Sequence, residues 1–134
     1  MPVVFKDCPS LVIGWGRIGK CLATKLKALG AEVTVAARKP TDRAMLSALG
    51  YNAEDTATLK YSLIRYRVIF NTVPATVLPT GPVGCLKIDL ASTPGIGGND
   101  VIHARGLPGK DAPEASGELI ARTVIKYLNK EEIV

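Results

Sequence analysis

Apolar positions along the chain alternate between short continuous runs and stretches with helical spacing. The short runs predict buried strands at Ser10–Ile13, Glu32–Ala37, Arg67–Thr72 and Cys85–Leu90, with shorter strands at Tyr51–Ala53 and Val101–Ala104. Between the first two runs, apolar residues return every three or four positions and predict a helix over Arg17–Leu29, which Gly30 ends. Its buried face is expected to hold Ile18, Cys21, Leu22, Leu26 and Leu29. Strand, helix and strand in this length form a βαβ unit.

Two further helices are predicted between the second and fourth strands. Thr41 or Asp42 is expected to cap the first of them, which ends at Gly50. The second is a weaker pattern over Asp55–Tyr66, with three apolar residues inside: Leu59, Leu63 and Ile64.

The end of the chain adds a last helix and completes the predicted fold. Asp111 opens this helix, and Glu114 three residues later gives a capping box. The whole alternation predicts a single α/β domain over residues 1–134, a doubly wound parallel sheet in the order 3-2-1-4-5-6 within three αβα layers. A ligand is then expected at the carboxyl ends of strands one and four, where the winding reverses.

The first strand runs directly into a glycine-rich turn, Gly14-Trp15-Gly16-Arg17-Ile18-Gly19. Gly14 permits a tight turn, Gly16 lets a pyrophosphate approach the backbone because it has no Cβ, and Gly19 lets the helix pack close to the strand. The N–H groups and the positive dipole end of that helix then face the phosphates. Its place between a strand and a helix is the one that the Rossmann dinucleotide-binding fingerprint requires. The alternative is an ordinary strand–turn–helix connection, because 13 glycines also produce such spacings by chance.

The end of the second strand indicates which dinucleotide is bound. An NAD site normally places Asp or Glu there to accept a hydrogen bond from the ribose 2′-hydroxyl. This chain has Ala37, Arg38 and Lys39 instead, with Thr41 and Arg43 close behind. A guanidinium pairs with phosphate oxygens, whereas a carboxylate would repel a 2′-phosphate. We therefore predict that NADP(H) is preferred over NAD(H), with a solvated basic turn as the alternative interpretation.

Polar and turn residues end the next two strands. The backbone of four residues is expected to line the cofactor between its adenine ribose and its nicotinamide: Asn71, Thr72, Val73 and Pro74. Pro74 also serves as a strand terminator. Asp89 and Ser92 fall near the expected nicotinamide end, and we expect Asp89 to be hydrogen-bonded structurally within its strand.

Composition and charge disfavour several other classes of function. No apolar run approaches the ~20 residues that span a bilayer, and no secretory leader pattern follows Met1, so a cytoplasmic protein is expected. The net charge of +5 suits an anionic ligand, and nucleic acid is the weaker alternative because aromatic residues make up only 5%. No metal-ligand spacing occurs. His103 is expected at the surface or on an edge strand, and Cys21 as a buried thiol.

Longer segments of the chain resemble one family. Gly-Trp-Gly-Arg-Ile-Gly-Lys at 14–20, Val-Ala-Ala-Arg-Lys at 35–39 and Phe-Asn-Thr-Val-Pro at 70–74 resemble the cofactor-binding half of the family of dipicolinate synthase A subunits. Ile-Asp-Leu-Ala-Ser-Thr-Pro-Gly at 88–95, Gly-Leu-Pro-Gly-Lys-Asp-Ala-Pro at 106–113 and Ser-Gly-Glu-Leu-Ile-Ala at 116–121 extend the resemblance over nearly the whole chain. In this domain the family is similar to the wider group of 2-hydroxyacid-type dehydrogenases.

The resemblance implies an oxidoreductase that takes part in making dipicolinate, a spore metabolite. Its reaction would be the oxidation of a hydroxylated tetrahydrodipicolinate precursor in the mother-cell cytoplasm. Its partner would be a flavoprotein-like B subunit. By the same resemblance, Gly14 to Gly19 and Arg38 would bind phosphates, while Thr72 to Pro74 and Ser92 would edge the cofactor.

Family members also carry an N-terminal domain that closes over the cofactor, and we expect this chain to lack it. Catalytic residues are therefore not assigned. Two alternatives stay open: a half-enzyme completed by a partner chain, and a non-enzymatic nucleotide-binding module that senses redox state. Homodimerisation through the cofactor face is a further expectation.

Overall fold

Six parallel strands form one sheet in the computed structural model, which describes residues 6–78, 81, 82, 84–98 and 100–103, without the side chains of residues 60 and 61. The sheet order is β3-β2-β1-β4-β5-β6, as predicted. The strands are β1 Pro9–Ile13, β2 Glu32–Ala37, β3 Asn52–Asp55, β4 Val68–Asn71, β5 Leu86–Asp89 and β6 Val101–His103. The helix predicted from Asp111 lies outside the described residues.

The two faces of the sheet are covered differently. Helices α1, Arg17–Ala28, and α2, Pro40–Ala48, pack on one face, where Leu22, Leu26 and Leu46 join alternate strand residues such as Val12 and Phe70 in one apolar cluster. Two 3₁₀ segments, Thr56–Tyr61 and Leu63–Arg65, cover the opposite face, and their buried residues join the other set of strand positions. The period of two along each strand thus divides the core into two layers.

Three local predictions are wrong at their boundaries or in their type. Helix α2 begins at Pro40 with Lys39 as its N-cap, not with Thr41 or Asp42, because the fixed φ of proline suits the first helical position. Strand β3 spans Asn52–Asp55, so it begins one residue later and ends two residues later than the predicted Tyr51–Ala53. The pattern over 55–66 forms two 3₁₀ segments instead of an α-helix. The Asp55 side chain caps the first of them by accepting a hydrogen bond from Ala57 N.

The weak amphipathic pattern also misplaced one side chain. Leu59 and Leu63 are buried as predicted, but Ile64 is 94% exposed. In the second 3₁₀ segment the position three residues after Leu63 is Tyr66, which is buried, so Ile64 lies off the buried face. Cys21 is half-buried on α1, less than predicted. None of the described helices is both long and apolar enough to cross a lipid bilayer.

The sheet register brings the ends of its central strands together. Ile13, at the end of β1, pairs with Ala36 of β2 on one side and with Asn71 of β4 on the other. Asn71 pairs in turn with Asp89, the last residue of β5. Because the chain leaves β1 toward β2 and later returns on the far side to form β4, the winding reverses between β1 and β4.

Candidate dinucleotide-binding site

The turn after β1 is packed against the end of β4. Gly14 has a φ of +109°, and its N–H donates to Ala36 O at 2.9 Å. Thr72 holds the other side, because its Oγ1 and its backbone N–H donate to Ile13 O at 2.8 and 3.0 Å. A Cβ built on Gly14 would collide with Thr72 Oγ1. Both the backbone angle and the space therefore require glycine at position 14.

The other two glycines of the turn differ in their surroundings. A Cβ on Gly19 would collide with the carbonyl oxygen of Gly14, so α1 packs against the turn only without a side chain there. A Cβ on Gly16 would meet nothing within 4 Å. Gly16 therefore presents exposed backbone to open space, which fits the close approach of a diphosphate.

The N-terminus of α1 adds hydrogen-bond donors beside this open backbone. Gly16 is the N-cap, and the first backbone hydrogen bond of α1 runs from Lys20 N to Gly16 O at 2.9 Å. The N–H groups of the intervening residues precede the intrahelical ladder, and the first turn contains no acidic side chain. Arg17 is exposed and Ile18 half-buried here. The end of α1 is thus equipped to receive an anion.

A cleft of about 650 Å³ opens in front of the turn. Its volume lies in the range of small-molecule and cofactor sites. Residues at the end of β2 and after β2 and β3 form one side of it: Ala36, Ala37, Arg38, Lys39, Asp42, Thr56 and Ala57. Residues after β4 form the other side: Val73, Ala75, Thr76 and Val77. The glycine turn with Trp15 lies between the two sides. The cleft therefore spans both sides of β1.

The side after β2 carries the charge of the cleft. Arg38 and Lys39 are exposed at the start of α2, and Pro40 contributes no N–H. Asp42, in the first turn of α2, lines the same space and was not predicted as a site residue. Its sequence signal is its place at the start of the helix predicted directly after the second strand, the position for which it was considered as a cap.

Arg43 braces this turn from within. Its Nη1 donates to Ala37 O at 2.9 Å and to Arg38 O at 2.8 Å, and it lies 3.6 Å from Asp55 Oδ1. Arg43 does not line the cleft. The structure therefore places its guanidinium where it fixes the backbone that presents Arg38.

The remaining predicted site residues fall at different distances from the cleft. Trp15 is half-buried in its wall, with the ring of Tyr51 edge-on at 5.7 Å between centroids. Thr72 supports the turn from behind, and Val73 lines the wall. Pro74 and Ser92 are exposed, but neither lines the cleft in this structure.

Asn71 and Asp89 are both fully buried, with 0% of either exposed. In this structure a ligand in the cleft therefore cannot touch Asn71 and would contact instead the loop after β4 that Asn71 supports. Asp89 accepts four hydrogen bonds, which confirms the prediction that it is bonded structurally within its strand.

Other reactive side chains lie away from the cleft. His103 is exposed on β6, which lies at the edge of the sheet formed by the described residues, as predicted. Burial raises the pKa of the Cys8 and Cys85 thiols, which disfavours their nucleophilic thiolate form. Within the described ranges, no three His, Cys, Asp or Glu side chains are grouped to hold a metal ion.

Comparison with known proteins identifies the family of this site. The model of the family described as "D-isomer specific 2-hydroxyacid dehydrogenase, NAD binding domain" matches residues 5–81, which include the glycine turn and both sides of the cleft. The A subunit of dipicolinate synthase from Bacillus subtilis (strain 168) is 34% identical over 132 residues, covering 87% of this chain and 44% of the relative.

Two crystal structures of dipicolinate synthase are also similar to this chain. The A subunit from Bacillus halodurans has a TM-score of 0.72 and 32% identity, covering 92% of this chain and 47% of the other. The A chain from Bacillus subtilis has a TM-score of 0.73 and 30% identity, covering 96% of this chain and 48% of the other. The chain thus spans less than half the length of each of these relatives. It belongs to the NAD binding domain family of the D-isomer specific 2-hydroxyacid dehydrogenases and resembles the corresponding part of the dipicolinate synthase A subunit.

Proposed function

We propose that this chain binds NADP(H) in preference to NAD(H) and forms the cofactor-holding part of a dipicolinate-synthase-like oxidoreductase. One observation carries the proposal. The open backbone of Gly16 and the basic pair Arg38 and Lys39 line the same cleft, at the point where the sheet reverses its winding. A dinucleotide with an additional ribose phosphate has anionic groups in both places.

The sheet order gives the direction in which the cofactor would lie. The backbone from Gly14 to Gly19, with the N-terminus of α1, would hold the diphosphate over the end of β1. Arg38 and Lys39, on the β2 side, would bind the 2′-phosphate through charge-assisted hydrogen bonds. The nicotinamide half would then follow the β4 side along Val73 to Val77, the loop that includes Pro74, toward Ser92.

The proposed activity needs more than the described cleft. A bound nicotinamide dinucleotide would supply the acceptor for one hydride; together with loss of one proton and of the hydroxyl group as water, this converts a hydroxylated tetrahydrodipicolinate precursor to dipicolinate. This chain would orient that acceptor, while a second domain or chain would enclose the substrate and exclude water. Cytoplasmic location, a role in sporulation and association with a B subunit that resembles a flavoprotein are parts of the same proposal.

A second candidate is a nucleotide-binding module without its own catalysis, acting through a partner or a second copy. The observation in its favour is the chemistry of the cleft lining, which includes neither histidine nor cysteine and only one carboxylate, Asp42, among the described residues. A general acid or base for substrate oxidation would have to come from outside this lining.

Calorimetric titrations of the chain with NADPH and with NADH in parallel test the cofactor proposal. Tighter binding of NADPH by about tenfold or more supports it, since one charge-assisted contact contributes about that factor. Equal affinities, or tighter NADH, contradict the preference.

Turnover assays then separate the two functions. The chain is assayed with the precursor, alone and mixed with the remaining half of a dipicolinate synthase A subunit. Turnover only in the mixture supports the half-enzyme, and binding without turnover in either sample supports the module.

A further inference from the structure

The ends of β4 and β5 carry a buried polar pair that the cofactor chemistry does not use directly. Asn71 and Asp89 have no exposed surface, and Asn71 Nδ2 donates to Asp89 Oδ1 at 3.1 Å. A buried charge is costly unless hydrogen bonds surround it. The hydrogen bonds around this pair therefore have to compensate for the cost of burying it.

Asp89 is held by three backbone N–H donors of the following loop as well as by Asn71. Its Oδ1 also accepts from Ala91 N at 3.2 Å, while its Oδ2 accepts from Gly95 N at 2.6 Å and Ile96 N at 3.0 Å. Four donors thus converge on two oxygens. An amide at position 89 would place its own N–H groups against at least two of these donors.

Asn71 connects this carboxylate to the loop after β4. Its Nδ2 also donates to Val73 O at 3.0 Å, and its Oδ1 accepts from Val73 N at 3.0 Å. One side chain therefore fixes both backbone groups of a residue that lines the cleft.

The two loops are joined directly as well. Val77 N and Leu78 N both donate to Gly95 O at 2.9 Å, and Gly97 N donates to Leu78 O at 2.8 Å. A Cβ on Gly95 would collide with Asn71 Nδ2 and Ala75 O. Loop 73–78 and loop 91–97 therefore form one packed unit around the buried pair.

We propose that Asn71 and Asp89 are positioning residues for the half of the dinucleotide that lies on the β4 side of β1, the nicotinamide half. They act through the wall formed by Val73, Ala75, Thr76 and Val77, without contacting the ligand. This inference rests on the proposed function, because it takes the cleft to be the cofactor site. It predicts that a substitution in the pair weakens the binding of the nicotinamide half of the dinucleotide and leaves the binding of the adenine half unchanged.

Asp89→Asn tests the assignment with two probes, NADPH and adenosine 2′,5′-bisphosphate. The second probe carries the phosphates of the adenine half and lacks the nicotinamide. The variant is expected to bind NADPH about tenfold more weakly than the unaltered chain, and the fragment within about twofold. Val68→Ala is the matched control, because it removes buried methyl groups at the other end of β4. It should lower stability and leave the ratio of the two affinities unchanged.

Equal losses for both probes in Asp89→Asn, or the same ratio change in Val68→Ala, would overturn the positioning role. If the unaltered chain binds neither probe, the proposed function fails instead. Amide hydrogen exchange on the unaltered chain gives a second test that does not depend on a variant folding. NADPH should slow exchange at Val77 and Gly95, and the fragment should not; no slowing by NADPH would also overturn the assignment.

Discussion

The two sides of the cleft are built in opposite ways. On the β2 side, charged and exposed residues stand at the start of α2, and Arg43 braces the carbonyls behind them. On the β4 side, the wall is uncharged, and its polar support is fully buried in Asn71 and Asp89. The first side offers direct contacts to an anion, whereas the second offers a surface of fixed shape. The two sides of one cleft thus differ in their charge and in how their residues are held in place.

The glycine turn is the part that both sides share, and breaking it should have the largest effect. Gly14→Ala forces a Cβ into Thr72 at a positive φ. We expect a loss of about 3 kcal/mol in the free energy of unfolding, measured by urea denaturation. Gly16→Ala is the matched control, since its Cβ meets open space, and it should cost less than about 1 kcal/mol. Similar losses in the two variants would mean that the turn is not packed as described.

Arg38→Ala should remove one positive charge from the β2 side of the cleft and leave the β4 side unchanged. Loss of a hydrogen bond from a charged group predicts NADPH binding weaker by about 1.5–3 kcal/mol. NADH binding should change much less, because NADH has no 2′-phosphate. Calorimetry measures both, with Lys25→Ala in the last turn of α1 as a control of equal charge change. Equal weakening of both cofactors by Arg38→Ala argues against the assignment.

The sequence predicted the β2 side of the cleft, whose charged residues are exposed, better than the β4 side, whose polar support is buried. Strand order, the glycine turn and the basic residues after β2 followed from period, backbone sterics and local charge. The positions of Arg38 and Lys39 depend only on the strand that precedes them. Arg43 shows the limit, because a side chain six residues after Ala37 folds back onto its carbonyl, which the spacing alone does not reveal.

The β4 side of the cleft could not be predicted in detail because its hydrogen bonds join residues that are far apart in the chain. Asn71 and Asp89 are 18 residues apart, and only the parallel register of β4 and β5 brings them together. The sequence predicted a structural Asp89, but not its four donors. The 3₁₀ segments over 56–65 were also missed, since an amphipathic pattern of that length does not distinguish a period of 3.0 from 3.6.

Asp42→Asn should make the β2 side of the cleft more positive, the opposite of Arg38→Ala. Asp42 is the one carboxylate in the described lining of the cleft, on the same side as Arg38 and Lys39. Removing its charge should tighten NADPH binding a few-fold, in line with about 0.5 kcal/mol for a partly exposed charge pair. Calorimetry at low and high salt provides the check, because screening should shrink the gain. Weaker NADPH binding would instead assign Asp42 a favourable contact with the ligand.

The smallest effect concerns an ion pair away from the cleft. Lys87 is 1% exposed in β5; its Nζ donates to Pro82 O and, at 2.6 Å, to Asp100, whose side chain is 60% exposed. The hydrogen bond from Lys87 lowers the pKa of Asp100 below its ordinary value of 3.8. Because the folded-state pKa is depressed, the pair's stabilisation is present above that value and is lost as pH falls through the lower one.

Asp100→Asn should therefore reduce the acid sensitivity of folding slightly. The comparison is the unfolding free energy of the variant and the unaltered chain at about pH 6 and about pH 3. The unaltered chain should lose more stability between the two conditions. Identical losses would show that the pair does not contribute.

The decisive measurement is a crystal structure of the chain grown with NADPH. The diphosphate is expected against the backbone of Gly16, and the 2′-phosphate within hydrogen-bonding distance of Arg38. The nicotinamide half is expected along Val73 to Val77. A ligand bound with its adenine end on the β4 side, or a cleft closed by a side chain at saturating NADPH, would show that the proposed binding mode is wrong.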